Sequence, residues 1–370
     1  MGTWCPLPLR HLSNTASLTG HHRVHAVGGR GVVRSSASKA DSSPSAKGLL
    51  DDLRKEVDAR DTVPLQEVAG GVVCLGKFDA LHLGHRALAE RAATIGHMFM
   101  LSFSNMAAVL GWEPRLPLVA SCHRPAVLRQ WASVCGGIAP REVLLDFRSV
   151  RSLSPAAFVD LLADQLAVKG IVAGDNYRFG YKAAGDAAQL QSLGAARGLA
   201  VAIVGSVQDC GPACAPGGIP LADRKISSTR VREALQRGDL QCVEQLLGRR
   251  HQLAVGLPGS SVNIASYAHL KLPRLNFLNE PPCLGTYEAL LSIIATGRPQ
   301  QQISRRNENG LTQESDGLDG LELGLARVRI DVENLGIDFH DVGKVEQLEH
   351  RIRTSSAPQL LSLEFVSDQR

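Results

Sequence analysis

The 370-residue chain has few cysteines, few aromatic residues and no long apolar run, and each shortage excludes something. Its eight cysteines are too dilute for a disulfide framework, and the nearest pair, Cys210 and Cys214, is spaced CxxxC, which is not a zinc knuckle. That usage fits a reducing compartment. Aromatic residues make up 4% of the chain and no basic stripe accompanies them, so nucleic acid is not an expected partner. No stretch approaches the ~18 consecutive apolar residues of a membrane span, so no membrane is expected either. Net charge is also scarce: 40 Lys and Arg stand against 36 Asp and Glu, too even a balance for a protein that coats polyanions. What is present, 44% hydrophobic and 21% charged residues, supports a full core at a length of about two domains.

Acidic residues are missing altogether from Met1 to Ala40, which carries five cations (Arg10, Arg23, Arg30, Arg34 and Lys39) among scattered Ser, Thr and Gly. Without that segment 35 basic residues face 36 acidic ones, a net of −1, so the slight basicity belongs to the first tenth of the chain. An acid-free, Ser- and Arg-containing leader that lacks the ~7–15-residue apolar stretch of a secretory signal reads as an organellar transit peptide. Frequent Ser and Thr, without an Arg-lined amphipathic helix, favour the plastid over the mitochondrion. The expected organisation is a leader over residues 1–47, a first domain over 48–250, and a second over 251–370 that contains a disordered polar loop around 295–320.

Gly48 to Arg60 has a helical spacing of Leu49, Leu50, Leu53 and Val57. Strand-like runs then alternate with helical patterns. Strands are expected at Gly71 to Leu75, His97 to Phe103, Glu142 to Phe147, Gly170 to Gly174 and Leu199 to Val204. Helices are expected over Arg86 to Ile95, Pro125 to Val134, Ala156 to Ala167 (opened by Ser154 and Pro155), Ala187 to Arg197 and Glu233 to Leu247. Such alternation predicts an α/β domain with a parallel sheet covered on both faces and ligands at the C-terminal ends of its strands. A Gly- and Pro-rich loop, Cys210 to Lys225, interrupts it. After Gly248 the rhythm is lost, and short runs such as Thr286 to Ile294 and Leu325 to Val332 predict a small, mainly β module.

The most informative segment is Gly76 to His85, GKFDALHLGH, placed between a buried strand and a helix. Free N–H groups and the positive end of the helix dipole attract phosphate there. With Gly84 between them, His82 and His85 can approach one anion without intervening bulk, hydrogen-bond a triphosphate and stabilise a pyrophosphate leaving group. Alone, an HxxH is better read as two incidental loop histidines. A second segment, Ile226 to Arg232, reads ISSTRVR ahead of a helix. Its hydroxyls either cap that helix or, with backbone N–H groups and Arg232, close over phosphates. Asp175 either binds a ligand or stabilises its own turn. Tyr177 and Tyr181 beside Arg178 are possible stacking groups, and Arg249 and Arg250 read as a solvated helix end.

The pairing of GxFDxxHxGH with a distant ISSTxxR resembles the FMN adenylyltransferase module of bacterial riboflavin kinase/FAD synthetases, within the HxGH nucleotidyltransferase superfamily. Between them Val172 to Gly185, VAGDNYRFGYKAAG, is similar to that family's flavin-side loop at Gly174, Asn176, Phe179, Gly180 and Gly185. Leu246 to Arg249 (LLGR) resembles the module's end. The likeness covers roughly Val68 to Arg250, and with leader and tail the whole chain is similar to plastid FAD synthetases of plants and green algae.

The resemblance implies a Rossmann-like nucleotidyltransferase domain followed by a small, degenerate riboflavin-kinase-like β-barrel, with ATP and FMN as substrates and Mg²⁺ as cofactor. It implies catalytic roles for His82, His85 and Arg232. Gly76, Phe78, Asp79 and Gly84 then belong to the adenosine and phosphate side, and Ser227, Ser228 and Thr229 to the second nucleotide motif. Gly174, Asp175, Asn176 and Phe179 lie near FMN, with a further contact at Asn105; metal ligands are not assigned. Several positions depart from the family pattern. Ala80 stands where Gly is usual, Lys77 adds a charge, and Phe103 to Ala107 replaces a His- and Pro-rich segment. Gly256 to Asn263, GLPGSSVN, lacks the Pro-Thr pair of the kinase GxPTxN motif, so the second module is expected to have lost kinase chemistry; a divergent but intact kinase and a non-catalytic flavin or nucleotide sensor are the rival readings.

Overall fold

The computed structural model describes residues 62–209, 224–257, 269–295, 321–354 and 359–366. The leader, the expected helix at Gly48 to Arg60, most of the Cys210 to Lys225 loop, most of the GLPGSSVN string and nearly all of the polar 295–320 stretch lie outside the described residues.

Six parallel strands form the first sheet: β1 (Thr62–Val63), β2 (Val72–Leu75), β3 (Met98–Ser104), β4 (Arg141–Asp146), β5 (Gly170–Gly174) and β6 (Ala200–Val204), in the order β1-β4-β3-β2-β5-β6. The strands are short and apolar because both faces are covered. Val73, Leu75, Ile171 and Ala173 point into one core, and Val72, Cys74 and Val172 into the other. The helices are α1 (Leu83–Ala93), α2 (Met106–Leu110), α3 (Arg124–Gln130), α4 (Phe147–Val150), α5 (Pro155–Asp160), α6 (Ala187–Ala196), α7 (Ser228–Arg237) and α8 (Leu240–Leu247). Ser154 caps α5 through Ala157 N–H, with Pro155 at the first turn, as expected from sequence. The chain runs from β2 out through β3 to β4, then returns to the other side of β2 for β5 and β6. That reversal leaves a crevice at the C-terminal ends of β2 and β5.

Two sequence expectations require correction. The single helix expected over Glu233 to Leu247 is two helices that begin earlier, at Ser228. Gly238 takes a left-handed conformation (φ 72°) that ends α7, and the Asp239 carboxylate accepts from Cys242 N–H to start α8. Arg249 is not a solvated helix end, because its guanidinium is engaged with backbone carbonyls, as described below. Of the described cysteines, Cys74, Cys122, Cys135 and Cys283 form no disulfide and Cys242 is disulfide-bonded, one cross-link and not a framework.

The second sheet is antiparallel, in the order β7-β12-β9-β10-β11-β8: β7 (Gln252–Leu257), β8 (His269–Pro273), β9 (Gly285–Ala295), β10 (Leu321–Ile330), β11 (Asn334–Phe339) and β12 (Gln359–Phe365). Leu253, Leu270, Leu291, Val328, Ile337 and Leu363, one from each strand, share a single core, so the sheet curls into a half-barrel. Helix α9 (Val342–Thr354), absent from the sequence reading, adds Val345, Leu348 and Ile352 to that core. No described helix is long and apolar enough to cross a membrane.

Candidate active site

A cleft of about 760 Å³ opens at the switch point of the parallel sheet. Its walls include Leu75 and Gly76 after β2, Phe103 in β3, Gly174 at the end of β5 and Val204 at the end of β6. One side is the start of α1. His82 is the N-cap of this helix, and its Nδ1 accepts the His85 backbone N–H at 3.3 Å, which leaves Nε2 to carry the proton of the neutral ring. The two imidazoles stack with centroids 3.7 Å apart at 15°, and Phe78 meets His85 edge-on at 5.0 Å. Burial pushes His82 down to about 4 and His85 well below its ordinary value, with neighbouring positive charge adding to the shift. Both are therefore neutral hydrogen-bonding groups at physiological pH.

Much of the remaining lining is apolar and aromatic: Met106, Trp112, Phe147, Phe158, Tyr177, Phe179 and Tyr181. Tyr177 and Phe179 stack at 6.0 Å and 10°, and Phe158 packs on Phe179 at 5.7 Å. Gly185 pairs with Phe179 as an isolated bridge, and a Cβ there would stand 2.6 Å from the ring. Cations outnumber acids around the cleft: Lys77, Arg151, Arg178, Lys182 and Lys225 line it against the single carboxylate of Asp175. Lys77 Nζ lies 4.8 Å over the Trp112 ring. Asp175 accepts from the Ser206 backbone N–H (3.1 Å) and hydroxyl (2.9 Å), so its carboxylate ties β5 to the chain after β6.

Of the residues singled out in the sequence, Gly76, His82, Gly84, His85, Gly174, Asp175, Asn176, Phe179 and Ser227 line this cleft. Phe78, Asp79, Asn105, Ser228, Thr229 and Arg232 do not; they lie behind or beside it. Phe78 is core. Asp79 accepts from Leu118 N–H (3.1 Å) and pairs with Arg232 (3.0 Å), whose other nitrogen pairs with Glu280 at 2.7 Å. Asn105 is exposed, with φ 59°, in the turn that leads into α2. The Ser227 hydroxyl caps α7 by accepting Arg230 N–H at 3.3 Å, so capping and a place on the cleft wall are compatible roles for it. Among the described residues, no group of three or more His, Cys, Asp or Glu is placed to hold a metal ion.

Comparison with known proteins places the chain in a family. A family model described as FAD synthetase matches residues 139–213. FAD synthetase 1, chloroplastic, of Arabidopsis thaliana is 45% identical over 239 residues, which are 64% of this chain and 67% of that protein. The chain belongs to the FAD synthetase family. FAD synthetase 2, chloroplastic, of the same plant is 48% identical over 232 residues, 62% of this chain and 63% of its own length. A bifunctional riboflavin kinase/FMN adenylyltransferase of Pseudomonas fluorescens is 34% identical over 51% of this chain and 57% of its own. The chain thus aligns with about two thirds of its plant relatives and just over half of a bacterial one. A crystal structure described as a macrolide-efflux protein from Streptococcus pneumoniae has a TM-score of 0.52 over 84% of this chain and 88% of its own at 20% identity, a likeness of fold alone.

Sequence reasoning missed the arginines that hold the FAD synthetase signature turn from behind. Arg124 donates to the Phe78 carbonyl at 2.8 Å while its Nε bonds the Glu142 carboxylate at 2.6 Å. Arg249 donates to the carbonyls of Ala80 (2.9 Å) and Leu81 (2.7 Å). Side-chain bonds to backbone oxygen leave no residue pattern at the acceptor, so nothing in the sequence paired either arginine with the turn.

Proposed function

We propose that this member of the FAD synthetase family transfers the AMP moiety of ATP to FMN, giving FAD and pyrophosphate. The observation that carries the reading is a cleft lined together by a neutral histidine pair at a helix N-terminus, several cations and stacked aromatic rings. The triphosphate lies against the start of α1, where unpaired backbone N–H groups, His82 and His85 meet its oxygens. The isoalloxazine lies against the Tyr177 and Phe179 side, near Asn176. An FMN phosphate oxygen, already ionised at neutral pH, attacks the α-phosphorus in line. The bond from that phosphorus to the bridging oxygen of the β-phosphate breaks, and the pair of electrons leaves with pyrophosphate. No protein nucleophile or general base is required; the protein positions two anions and offsets their repulsion.

Arg232 contributes by holding Asp79 and Glu280, and Ser227, Ser228 and Thr229 by presenting the first turn of α7. Among the described residues the cleft wall offers one carboxylate and no group of three metal ligands, which suits a cation that arrives on the nucleotide; Mg²⁺ accordingly enters as Mg²⁺-ATP. We take 48–250 as the adenylyltransferase domain and 251–370 as a kinase-like barrel without kinase chemistry, because the GxPTxN signature is degraded. The acid-free leader, and the chloroplastic designation of both plant relatives, support action in the plastid stroma.

The test is a discontinuous assay that separates riboflavin, FMN and FAD. Purified protein with FMN and Mg²⁺-ATP should yield FAD and pyrophosphate, and His82→Ala with His85→Ala should abolish it. Riboflavin in place of FMN should give no FMN. FMN formed from riboflavin would establish the bifunctional alternative; ligand binding without any FAD would establish a sensor.

A further inference from the structure

Arg249 lies in the connection between α8, which ends at Leu247, and β7, which begins at Gln252. Its two terminal nitrogens divide between consecutive carbonyls of the turn ahead of His82: Nη2 to Ala80 and Nη1 to Leu81. Nη1 also reaches the Leu247 carbonyl at 3.3 Å, which ties the turn to the end of α8. Ala80 and Leu81 are fully buried, so without this donor their carbonyl oxygens would lose hydrogen bonds away from water. Leu81 also adopts φ 46°, a left-handed backbone that a β-carbon disfavours and that persists only where surroundings enforce it.

The guanidinium is held in place from its own side as well. Gly248 (φ 70°) packs so closely on α1 that a Cβ would stand 2.4 Å from Leu83 Cδ2. No carboxylate pairs with Arg249 among the described residues, unlike Arg124 with Glu142 and Arg232 with Asp79. Withdrawal from water, with Arg124 nearby, lowers it from the usual arginine range to about 9, which leaves it a cation at neutral pH. A partly buried cation given over to three carbonyls is costly as a device for stability alone.

We propose that Arg249 is a positioning residue of the nucleotide site: by clamping the carbonyls of Ala80 and Leu81 it holds the strained turn that delivers His82 and His85 to the cleft. The clamp needs a planar fork with two donors, which lysine lacks. Through it, the segment that begins the second sheet fixes the phosphate-binding turn of the first.

The inference rests on the adenylyltransferase reading for its turnover arm, and a calorimetric arm keeps the two apart. Arg249→Ala should lower kcat for FAD formation about 100-fold, as expected for a displaced catalytic pair. The KM for FMN should stay within about threefold, because other residues form the flavin side. Arg249→Lys should lose at least about tenfold, since one ammonium does not replace the fork. Millimolar guanidinium should restore about tenfold of the Arg249→Ala loss and leave the wild type unchanged. Arg250→Ala, at a side chain paired with Glu364 in the second sheet, serves as the unaffected control. In titration calorimetry Mg²⁺-ATP should bind Arg249→Ala at least about tenfold more weakly than the wild type, whatever the acceptor proves to be.

Wild-type kcat in Arg249→Lys would overturn the inference. So would a folded Arg249→Ala that guanidinium does not rescue, or failure of both variants to fold, which would make the residue a support of the whole fold. Wild-type protein that binds Mg²⁺-ATP but makes no FAD would sink the functional reading and leave the binding comparison decisive for Arg249; wild-type protein that binds no ATP would sink both.

Discussion

Gly84 matters because of the ring beside it. A Cβ at this position would lie 3.0 Å from His82 Cε1 and 3.1 Å from Nδ1, so alanine must shift the imidazole by a few tenths of an ångström relative to its stack with His85. Gly84→Ala is therefore expected to fold normally while kcat for FAD formation falls about 10- to 100-fold; unchanged kcat would show that the stacked arrangement is not the working one. Other histidines are buried for different reasons. His123 has no hydrogen-bond partner on either ring nitrogen, and burial holds it at about 3; burial likewise holds His251 at about 4. Both sit below the ordinary histidine value of about 6.5, so below that pH the unfolded chain binds protons that the folded chain refuses. Stability is thus fully present above about pH 6.5 and is lost as pH falls towards 4, at up to about 1.4 kcal/mol per pH unit for each such group. His123→Leu should flatten the fall in Tm between these pH values, and an unaltered slope in thermal melts would refute the assignment.

At the scale of elements, the turn between β2 and α1 is held from α3, α7 and the exit of α8, through Arg124, Arg232 and Arg249. The α3 support depends on β4. Glu142 bonds Arg124 through both carboxylate oxygens, with side chains 8% and 15% exposed, and also accepts the Ser102 hydroxyl at 2.6 Å. Glu142→Gln leaves a largely buried guanidinium without its counter-charge, which should cost roughly 3 kcal/mol. Denaturant melts would measure that loss, and a change below about 0.5 kcal/mol would mean that the pair is solvated in solution.

Much of this layer was legible in the sequence. Short apolar runs separated by helical periods predicted the parallel sheet, and Ser154-Pro155 marked the start of α5, because those signals are local. The break between α7 and α8 was also local: Gly238-Asp239 is a left-handed stop followed by a cap, overlooked because the apolar period runs on across it. The arginine supports were not legible. Arg249 reaches carbonyls 168 and 169 residues away, and a backbone acceptor carries no residue identity.

Considered as a whole, the molecule joins a parallel sheet to an antiparallel one. Beside the Arg249 clamp, one segment that joins them is 279–283. Glu280 N–H donates to the Pro117 carbonyl and Cys283 N–H to the Leu235 carbonyl, both at 2.8 Å. Glu280 also pairs with Arg232. Asn279, fully buried, is the hinge of the arrangement: its amide nitrogen donates to Leu118 in the first part and to Gln252 in β7, while its oxygen accepts Ala254 N–H at 2.8 Å. Alanine there strands two carbonyls and one N–H away from water, a loss of about 3 kcal/mol or more, and removes a bond that crosses between the sheets. In scanning calorimetry the wild type should unfold in one transition that Mg²⁺-ATP raises as a unit. Asn279→Ala should lower that transition and divide it, with Mg²⁺-ATP raising only the component that contains the nucleotide cleft. If nucleotide still raised a single undivided transition in the variant, the two sheets would be coupled by the remaining contacts of the segment and Asn279 would not be the element on which their cooperation depends.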